Sequence, residues 1–232
     1  MILPSEAAVS MEPRPADTSI ECAGESMLAM GCRALFRPAT GTLLIADPHF
    51  GKAASLQAAG VPVPEATIAE PLARLTAALR STGARELVIL GDFFHDRHSR
   101  SPETLRRLAE WRAAHAVLRI LLVRGNHDRH AGDPPGDLRI ECAAEQVEAP
   151  PFAYGHYPDR AARGYLLAGH LHPAIRLKRR GETALRGPCF WFRQNSAVLP
   201  AFGELTGKAD IAPSAGDRVV LAVGGVAVPL PG

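Results

Sequence analysis

Four apolar segments of the chain are each followed closely by side chains that can bind a metal ion. The segments are residues 43–46, 87–90, 120–123 and 165–168. The side chains that follow them are, in the same order, Asp47 and His49, then Asp92, then Asn126 and His127, then His170 and His172. In α/β proteins, ligands bind outside the carboxyl ends of the strands. Four strands that end in this way therefore predict one shared site at the edge of a sheet.

The spacing of the remaining apolar residues predicts alternating strands and helices in the first half of the chain. Apolar residues spaced by three and four predict an amphipathic helix over residues 65–80, and Gly83 ends it. Ser101 followed by Pro102 is typical of a helix N-terminus, so a second helix is expected to extend to about His115. Short apolar runs between residues 19 and 38 predict a small antiparallel unit ahead of the first long strand.

After Asn126 the pattern changes to short strands with frequent glycine and proline. We predict strands at residues 138–142, 145–148, 152–154, 165–168, 175–178, 183–185, 189–192 and 218–223. This density of strands favours a second sheet packed on the first. Residues 1–18 are rich in proline, alanine and serine and show no hydrophobic period, so we expect them to be disordered. Residues 19–232 are expected to form a single domain.

Charge and cysteine usage narrow the class of protein. The chain has 26 basic and 24 acidic residues and a formal net charge of +2, so a surface that binds a polyanion must be local. The four cysteines form no C-x-x-C pair, which argues against a zinc knuckle or a redox motif. The N-terminus shows no secretory pattern, and we interpret the longest apolar stretch, residues 219–230, as two short strands and a turn. We therefore expect a soluble, cytoplasmic enzyme with no membrane partner.

The strand-end residues form a mixed set of carboxylate, amide and imidazole ligands, to which His156 is added after the predicted strand at residues 152–154. Such a set suits divalent ions such as Mn, Fe, Co, Ni or Zn. Even seven of these eight residues are too many ligands for one ion, and seven are about right for two ions that share one carboxylate. Two such ions lower the pKa of a water and stabilise charge on a phosphoryl transition state. The residues therefore predict hydrolysis of a phosphoester.

Five short motifs resemble, in order, those of the calcineurin-like metallophosphoesterase superfamily: Asp47-x-His49, Gly91-Asp92, Gly125-Asn126-His127-Asp128, Gly155-His156 and Gly169-His170-x-His172. The resemblance covers about residues 40–175 and implies a four-layer αββα sandwich of two mixed sheets flanked by helices. It implies that Asp47, His49 and His172 hold one metal, that Asp92 bridges, and that Asn126, His156 and His170 complete the second site. It also implies that His127 is not a ligand but stabilises the transition state or protonates the leaving oxygen.

Three segments are similar to a narrower family, the bacterial ligase-associated DNA damage response endonucleases, or PdeM-like proteins. They are A-D-P-H-F-G-K at residues 46–52, G-D-F-F-H at residues 91–95 and N-S-A-V-L-P-A-F-G at residues 195–203. This resemblance implies a metal-dependent phosphodiesterase that cleaves DNA during repair, using two divalent ions, for which we expect manganese. The implied partners are an ATP-dependent DNA ligase, an exonuclease and a helicase.

Six further residues are candidate substrate contacts: His95, Lys52, Arg176, Lys178, Arg179 and Arg180. His95 can approach the substrate phosphate or merely close the turn after Asp92. Lys52 can bind phosphate from the loop that follows the first ligands, or it can be solvated. The basic run at residues 176–180 follows a metal-binding strand and can track a DNA backbone, although such a run is also typical of an ordinary solvated surface.

Two other functions stay open at this point. A phosphoesterase for a small molecule, such as a cyclic nucleotide or a nucleotide pyrophosphate, would use the same metals in a closed pocket. A non-catalytic scaffold would retain the fold alone, but it would gain nothing from seven convergent polar groups whose burial costs free energy.

Overall fold

Two β-sheets packed face to face organise the computed structural model, which describes residues 17–63, 68–160, 162–177 and 185–231. Most of the segment expected to be disordered, residues 1–16, lies outside the described residues. Thr18, which we had placed in that segment, already belongs to the first strand. Within the described ranges, no helix is long and apolar enough to cross a membrane.

The first sheet contains seven strands in chain order. They are β1 (Thr18–Cys22), β2 (Glu25–Ala29), β3 (Leu35–Arg37), β4 (Thr42–Ile45), β5 (Glu86–Ile89), β6 (Arg119–Val123) and β7 (Glu141–Ala143). Strands β1 to β4 pair antiparallel, which confirms the predicted antiparallel unit, and β4 to β7 pair parallel. Because β4, β5 and β6 are parallel neighbours, their carboxyl ends reach the same edge of the sheet.

Four α-helices, all between Lys52 and Ala131, appear in the described residues. They are α1 (Lys52–Ala58), α2 (Ala69–Thr82), α3 (Pro102–Ala114) and α4 (Asn126–Ala131). The predicted second helix is confirmed as α3, since Ser101 Oγ accepts a hydrogen bond of 3.2 Å from the backbone N–H of Thr104. The predicted first helix corresponds to α2 and ends at Gly83 with a φ of 63°, as expected; residues 64–67 lie outside the described residues.

The second sheet contains nine strands, in the order β14-β11-β12-β13-β10-β9-β8 with β15 and β16 attached to β12. They are β8 (Val147–Ala149), β9 (Phe152–Tyr154), β10 (Tyr165–Ala168), β11 (Pro173–Leu177), β12 (Leu185–Phe192), β13 (Ser196–Val198), β14 (Ala209–Asp210), β15 (Arg218–Val223) and β16 (Val226–Pro229). Strands β9 and β10 are parallel, whereas β11 and β12 are antiparallel. The second sheet is thus mixed, as the first is.

The predicted strands at residues 152–154, 165–168 and 218–223 are confirmed, and residues 219–230 form two strands and a turn as expected. The strand predicted at residues 138–142 is wrong at its start, because a 3-10 helix at Gly136–Leu138 follows Pro135 and β7 begins only at Glu141. Residues 183 and 184 of the strand predicted at residues 183–185 lie outside the described residues. Leu185 and the strand predicted at residues 189–192 belong to one strand, β12. Its pairing with β11 continues through Gly187 and Pro188, so tertiary contacts override their low strand propensity.

The core has two layers because consecutive residues of a strand point to opposite faces. Leu44 and Val88 pack between the sheets against Phe152 and Phe190. On the opposite face of the first sheet, Leu43 packs in a second cluster that includes side chains of α2 and α3. The predicted α/β sandwich of two mixed sheets with flanking helices is confirmed. In the described chain its helices lie between Lys52 and Ala131, and the second sheet carries no described helix.

Candidate metal centre

The ends of five strands bring the predicted ligands together at one place between the sheets. Strands β4, β5 and β6 of the first sheet deliver Asp47 with His49, Asp92, and Asn126 with His127. Strands β9 and β10 of the second sheet deliver His156, and His170 with His172. Asp47, Asp92, His49 and His156 are buried, which places their side chains away from bulk water.

Asp47 and Asp92 lie at the middle of this group. The two oxygens of Asp47 are 3.6 Å from His156 Nδ1 and 3.7 Å from His172 Nε2. The two oxygens of Asp92 are 3.6 Å from His156 Nε2 and 3.8 Å from His49 Nε2. These separations are too long for hydrogen bonds. Each is shorter than the combined length of two metal–ligand bonds of about 2.1 Å each, so one ion can contact both atoms of a pair. The arrangement therefore leaves space for cations between the carboxylates and the imidazoles.

Several of these atoms lack a hydrogen-bond partner although they are buried. They are Asp47 Oδ1, both ring nitrogens of His49, and His172 Nε2. A buried polar atom without a partner costs roughly 1–3 kcal/mol, so several of them in one place point to a missing ligand. Oxygen and imidazole nitrogen atoms are suitable donors for divalent ions. The residues thus fit the metal ions that the sequence predicts.

His156 and Asn126 provide a second indication of a cation. His156 Nδ1 donates to the carbonyl of Leu90 at 3.0 Å, so a neutral ring carries no hydrogen on Nε2. That nitrogen nevertheless lies 3.0 Å from Asn126 Oδ1 and 3.1 Å from His170 Nδ1. With the amide oxygen in this orientation, a lone pair of His156 Nε2 faces a lone pair of Asn126 Oδ1. A cation bound to both atoms would stabilise this arrangement. The division of the ligands between two ions stays a prediction.

Strained backbone conformations aim these side chains into the site. Five ligand residues have a positive φ: Asp47 (48°), His49 (44°), Asp92 (54°), His170 (72°) and His172 (48°). This conformation is unfavourable for residues other than glycine and is concentrated at functional sites. Each turn bends the chain sharply at the end of a strand. It therefore allows two residues that are two positions apart, such as Asp47 and His49, to face the same space.

Asp128 holds the site together, although we assigned it no role from the sequence. Its carboxylate accepts hydrogen bonds from the backbone N–H groups of Asp92 (2.8 Å), Phe93 (2.9 Å) and Gly125 (2.8 Å). It thus joins the end of β5 to the start of α4. The available signal was a capping pattern, because Asp128 is the third residue of α4 and caps its N-terminus.

Gly91 and Gly125 are required by the closeness of the packing. A Cβ atom on Gly91 would lie 2.1 Å from His156 Nδ1, and one on Gly125 would lie 2.2 Å from Asp92 Oδ1. Any larger residue at either position would displace a ligand. The two glycines therefore belong to the construction of the site, as their places in the sequence motifs suggest.

Burial shifts the pKa values of several predicted metal ligands. Burial lowers the pKa of His49 and His170, so both rings are neutral and able to bind a metal near pH 7. Burial, assisted by the nearby charge of Asp47, raises the pKa of Asp92 to about 6. Burial also acts to lower the pKa of His172, but the Asp47 carboxylate outweighs it and the net shift is upward. A bound cation would favour the ionised form of both carboxylates.

Comparison with known proteins agrees with this geometry. The family model described as calcineurin-like phosphoesterase matches residues 42–201. The nuclease MPE of Pseudomonas putida is 42% identical in sequence, with a TM-score of 0.80 over 92% of this chain and 100% of that chain. This chain belongs to the calcineurin-like phosphoesterase family. It is a metal-dependent phosphoric diester hydrolase, and divalent metals are its cofactors.

Two other solved structures are more distant from this phosphoesterase. Protein AQ665 of Aquifex aeolicus, of unknown function, is 20% identical, with a TM-score of 0.39 over 56% of this chain and 78% of that chain. The phosphoesterase Yfce of E. coli is 17% identical, with a TM-score of 0.41 over 81% of this chain and 96% of that chain. No curated protein matches the chain.

His127 lies beside the predicted metal ligands of the phosphoesterase. Its backbone N–H donates to Asp92 Oδ1 at 3.0 Å, and its ring stacks on His95 with 4.6 Å between centroids. The His127 Nδ1 donates to the His95 carbonyl at 2.5 Å, which leaves Nε2 for substrate. Burial lowers the pKa of His95 to about 4, so that ring is neutral. His49, His95 and His127 also lie close enough to form a possible ligand group, and the non-ligand role of His127 stays a prediction.

The predicted substrate contacts of the phosphoesterase fall in different surroundings. Lys52 is the first residue of α1, a helix we had expected to be a loop, and it is half-buried. Arg176 is exposed on β11 and pairs at 3.1 Å with Asp210, which Arg186 also contacts, so one carboxylate partly offsets the charge of two arginines. Lys178, Arg179 and Arg180 lie outside the described residues.

A basic edge that we did not predict lies next to His156. Arg129, Tyr157 and Arg160 line a pocket of about 180 Å³ together with His156, and we call these three residues the Arg129–Arg160 edge. The Tyr157 ring is 4.8 Å from the rings of both His156 and His170, and the Arg160 guanidinium lies 4.7 Å from its centroid. Arg129 forms no ion pair with a described carboxylate. The sequence offers no signal for this edge, because the fold brings residues 129 and 160 together.

Proposed function

We propose that the protein is an endonuclease that uses two divalent metal ions, with manganese as the native metal, to hydrolyse phosphodiester bonds in DNA. The observation that carries the proposal is the 42% identity, over 92% of the chain, to a protein described as a nuclease. The convergence of seven predicted ligands with buried, unpartnered atoms supports the metal requirement.

The residues of the chain have separable roles in this reaction. Two divalent ions held by the strand-end ligands would lower the pKa of a water and balance the charge on the phosphoryl group. His127 gives a proton to the leaving oxygen, for which its position beside Asp92 is suited. His95 fixes the His127 ring by its carbonyl and by stacking, and its own ring faces the substrate phosphate. Asp128 fixes the backbone that carries Asp92.

The charge distribution around the site supports a polyanionic substrate. Lys52 lies on one side of the ligands and the Arg129–Arg160 edge lies next to His156. Cations on the approaches to the metals would contact phosphates beyond the scissile one. Such contacts contribute to the binding of a polynucleotide. A small diester has no additional phosphates for these cations to contact.

A phosphoesterase for a small molecule is the second candidate. A cleft of about 600 Å³ adjoins the metal centre, and this volume is within the range of about 300–1,000 Å³ usual for small-molecule sites. A cyclic nucleotide or a nucleotide pyrophosphate would fill such a cleft.

The two candidates are separated by a substrate panel assayed with manganese. Purified protein is incubated with single-stranded DNA, duplex DNA, a cyclic nucleotide, a nucleotide-sugar pyrophosphate and a chromogenic diester, with Asp92→Asn as the inactive control. We expect cleavage of DNA and of the chromogenic diester. Hydrolysis of the cyclic nucleotide or the pyrophosphate with DNA left intact would replace the proposal by the second candidate.

We further propose that the nuclease works in the cytoplasm in DNA repair with an ATP-dependent ligase, an exonuclease and a helicase. The segments at residues 46–52, 91–95 and 195–203, which resemble those of ligase-associated endonucleases, support this context. Affinity capture of the three proteins by the tagged chain at its native level tests the association. Capture of none of them would contradict it.

A further inference from the structure

The cleft of about 600 Å³ begins at the metal centre and extends away from it. Pro48 and His49 line it, so a ligand in the cleft lies next to one of the predicted metal ligands. Helix α1 forms one wall, the start of α3 a second, and residues 203–206 a third. Ser55 of α1 binds Asp96 at 2.5 Å and Ser99 at 2.8 Å, which fixes the first wall next to the end of β5.

Lys52 supplies an unbalanced positive charge to this cleft. It is half-buried in the wall and forms no ion pair with any carboxylate of the described residues. Burial lowers the pKa of its ammonium group, while the charges of Asp92 and Asp96 oppose that shift. A partly desolvated ammonium without a partner is stabilised when an anion enters.

The acidic residues of the cleft are already neutralised. Glu103 pairs with Arg106 at 2.6 Å and with Arg107 at 2.8 Å. Glu204 pairs with Arg33 at 3.2 Å and also with Arg74. Because arginines pair with both carboxylates, their negative charge is balanced, and Lys52 adds a positive charge to the lining.

Three apolar residues belong to the lining of the cleft. Ile68, Pro71 and Leu205 line it, and Leu205 is 37% exposed. Thr206 and Gln57 add polar groups at the rim. Apolar, cationic and polar groups that line one cleft match the chemistry of a nucleoside that carries a phosphate.

We propose that this cleft is a subsite for one deoxynucleoside, the one whose 5′ oxygen stays esterified to the scissile phosphate when the other oxygen leaves. Leu205 and Ile68 pack against its base and sugar, and Lys52 binds the phosphate on its other side. The proposal rests on the proposed function, because it assumes that the metal centre acts on a phosphodiester, and it adds the residues that recognise the group next to the reacting phosphate.

Three chromogenic diesters with the same nitrophenolate leaving group test the subsite step by step. They are methyl 4-nitrophenyl phosphate, thymidine 5′-(4-nitrophenyl phosphate) and the same thymidine compound with a 3′-phosphate. We expect kcat/KM of the wild type to rise at least tenfold when methyl is replaced by thymidine. We expect a second rise, of about tenfold, when the 3′-phosphate is added.

Single variants assign each rise to a wall of the cleft. Leu205→Asp and, as a milder change, Leu205→Gln should abolish the rise due to thymidine. Lys52→Gln should abolish the rise due to the 3′-phosphate and keep the first. Arg80→Gln, an exposed position on α2 outside the cleft, is the matched control and should keep both. Metal content and Tm are measured for each variant, so that a folding defect is recognised.

The subsite is refuted if the wild type shows neither rise, or if all variants show the same rises as the wild type. These outcomes are distinct from failure of the proposed function, which is judged by cleavage of an oligonucleotide by the wild type. Oligonucleotide cleavage without either rise would refute the subsite alone. Both rises without oligonucleotide cleavage would keep the subsite and make a nucleotide the substrate.

Discussion

Replacing Asp128 by alanine tests whether the ligand geometry depends on a residue that binds no metal. The Asp128 carboxylate is 2% exposed and accepts three backbone hydrogen bonds of 2.8–2.9 Å from Asp92, Phe93 and Gly125. The variant leaves three buried N–H groups without an acceptor, each at a cost of about 1–3 kcal/mol. Partial relaxation and entry of water reduce the sum, so we expect the free energy of unfolding to fall by about 3–5 kcal/mol.

The assay is urea unfolding of the metal-free protein, combined with manganese titration at a temperature where the variant is folded. Metal affinity should fall at least tenfold, because the backbone of Asp92 is no longer held. Asp133→Ala is the matched control, since Asp133 is a nearby aspartate that forms an exposed ion pair with Arg124, and it should change stability by at most about 1 kcal/mol. If Asp128→Ala behaves like this control in both measurements, the reasoning is refuted.

Three further predictions concern protons and charge around the same site. His127→Ala should lower the rate of DNA cleavage by roughly two to four orders of magnitude, while the metal content measured by elemental analysis stays unchanged. Hydrolysis of a nitrophenyl diester should be affected less, because that leaving group needs no proton. Loss of the metals in this variant would make His127 a ligand. In the metal-free protein Asp92 is protonated below its pKa of about 6, and the pKa of His172 is also raised. Metal affinity measured by calorimetry should therefore fall as the pH drops through 6, by about tenfold per pH unit for each proton that metal binding releases. An affinity independent of pH between 5 and 7 would contradict this. Arg129→Gln with Arg160→Gln should reduce the slope of log affinity against log salt by about 0.7–0.9 for each lost phosphate contact, while an unchanged slope would show that this edge is ordinary surface.

The parts of the fold that could be predicted are those with local causes. An apolar run followed by a polar residue identified the ends of β4, β5, β6 and β10. This was possible because neighbouring residues in the sequence show where a buried strand stops. Helix α3 was predictable from Ser101 and Pro102, since capping acts within one turn. Helices α1 and α4 were missed because they contain only 7 and 6 residues, too few to show a hydrophobic period.

The rest of the site depends on contacts between distant residues. Asp128 acts on Asp92 and Phe93, which lie 36 and 35 residues away. Arg176 was a reasonable candidate for DNA contact from its charge alone, but in the fold it pairs with Asp210, 34 residues further on. The cleft joins α1, α3 and residues 203–206, and no local pattern connects these segments. Charge and periodicity could not indicate which side chains meet.

Metal stoichiometry measured together with DNA cleavage tests the central claim most directly. Metal-free protein is titrated with manganese, and bound metal and cleavage of a single-stranded oligonucleotide are recorded at each step, with Asp92→Asn in parallel. We predict two manganese ions per chain, activity that appears as the second ion binds, and a rate for Asp92→Asn that is lower by at least about a thousandfold. Full cleavage with one ion, cleavage without metal, or near-normal turnover of Asp92→Asn would contradict a two-metal nuclease.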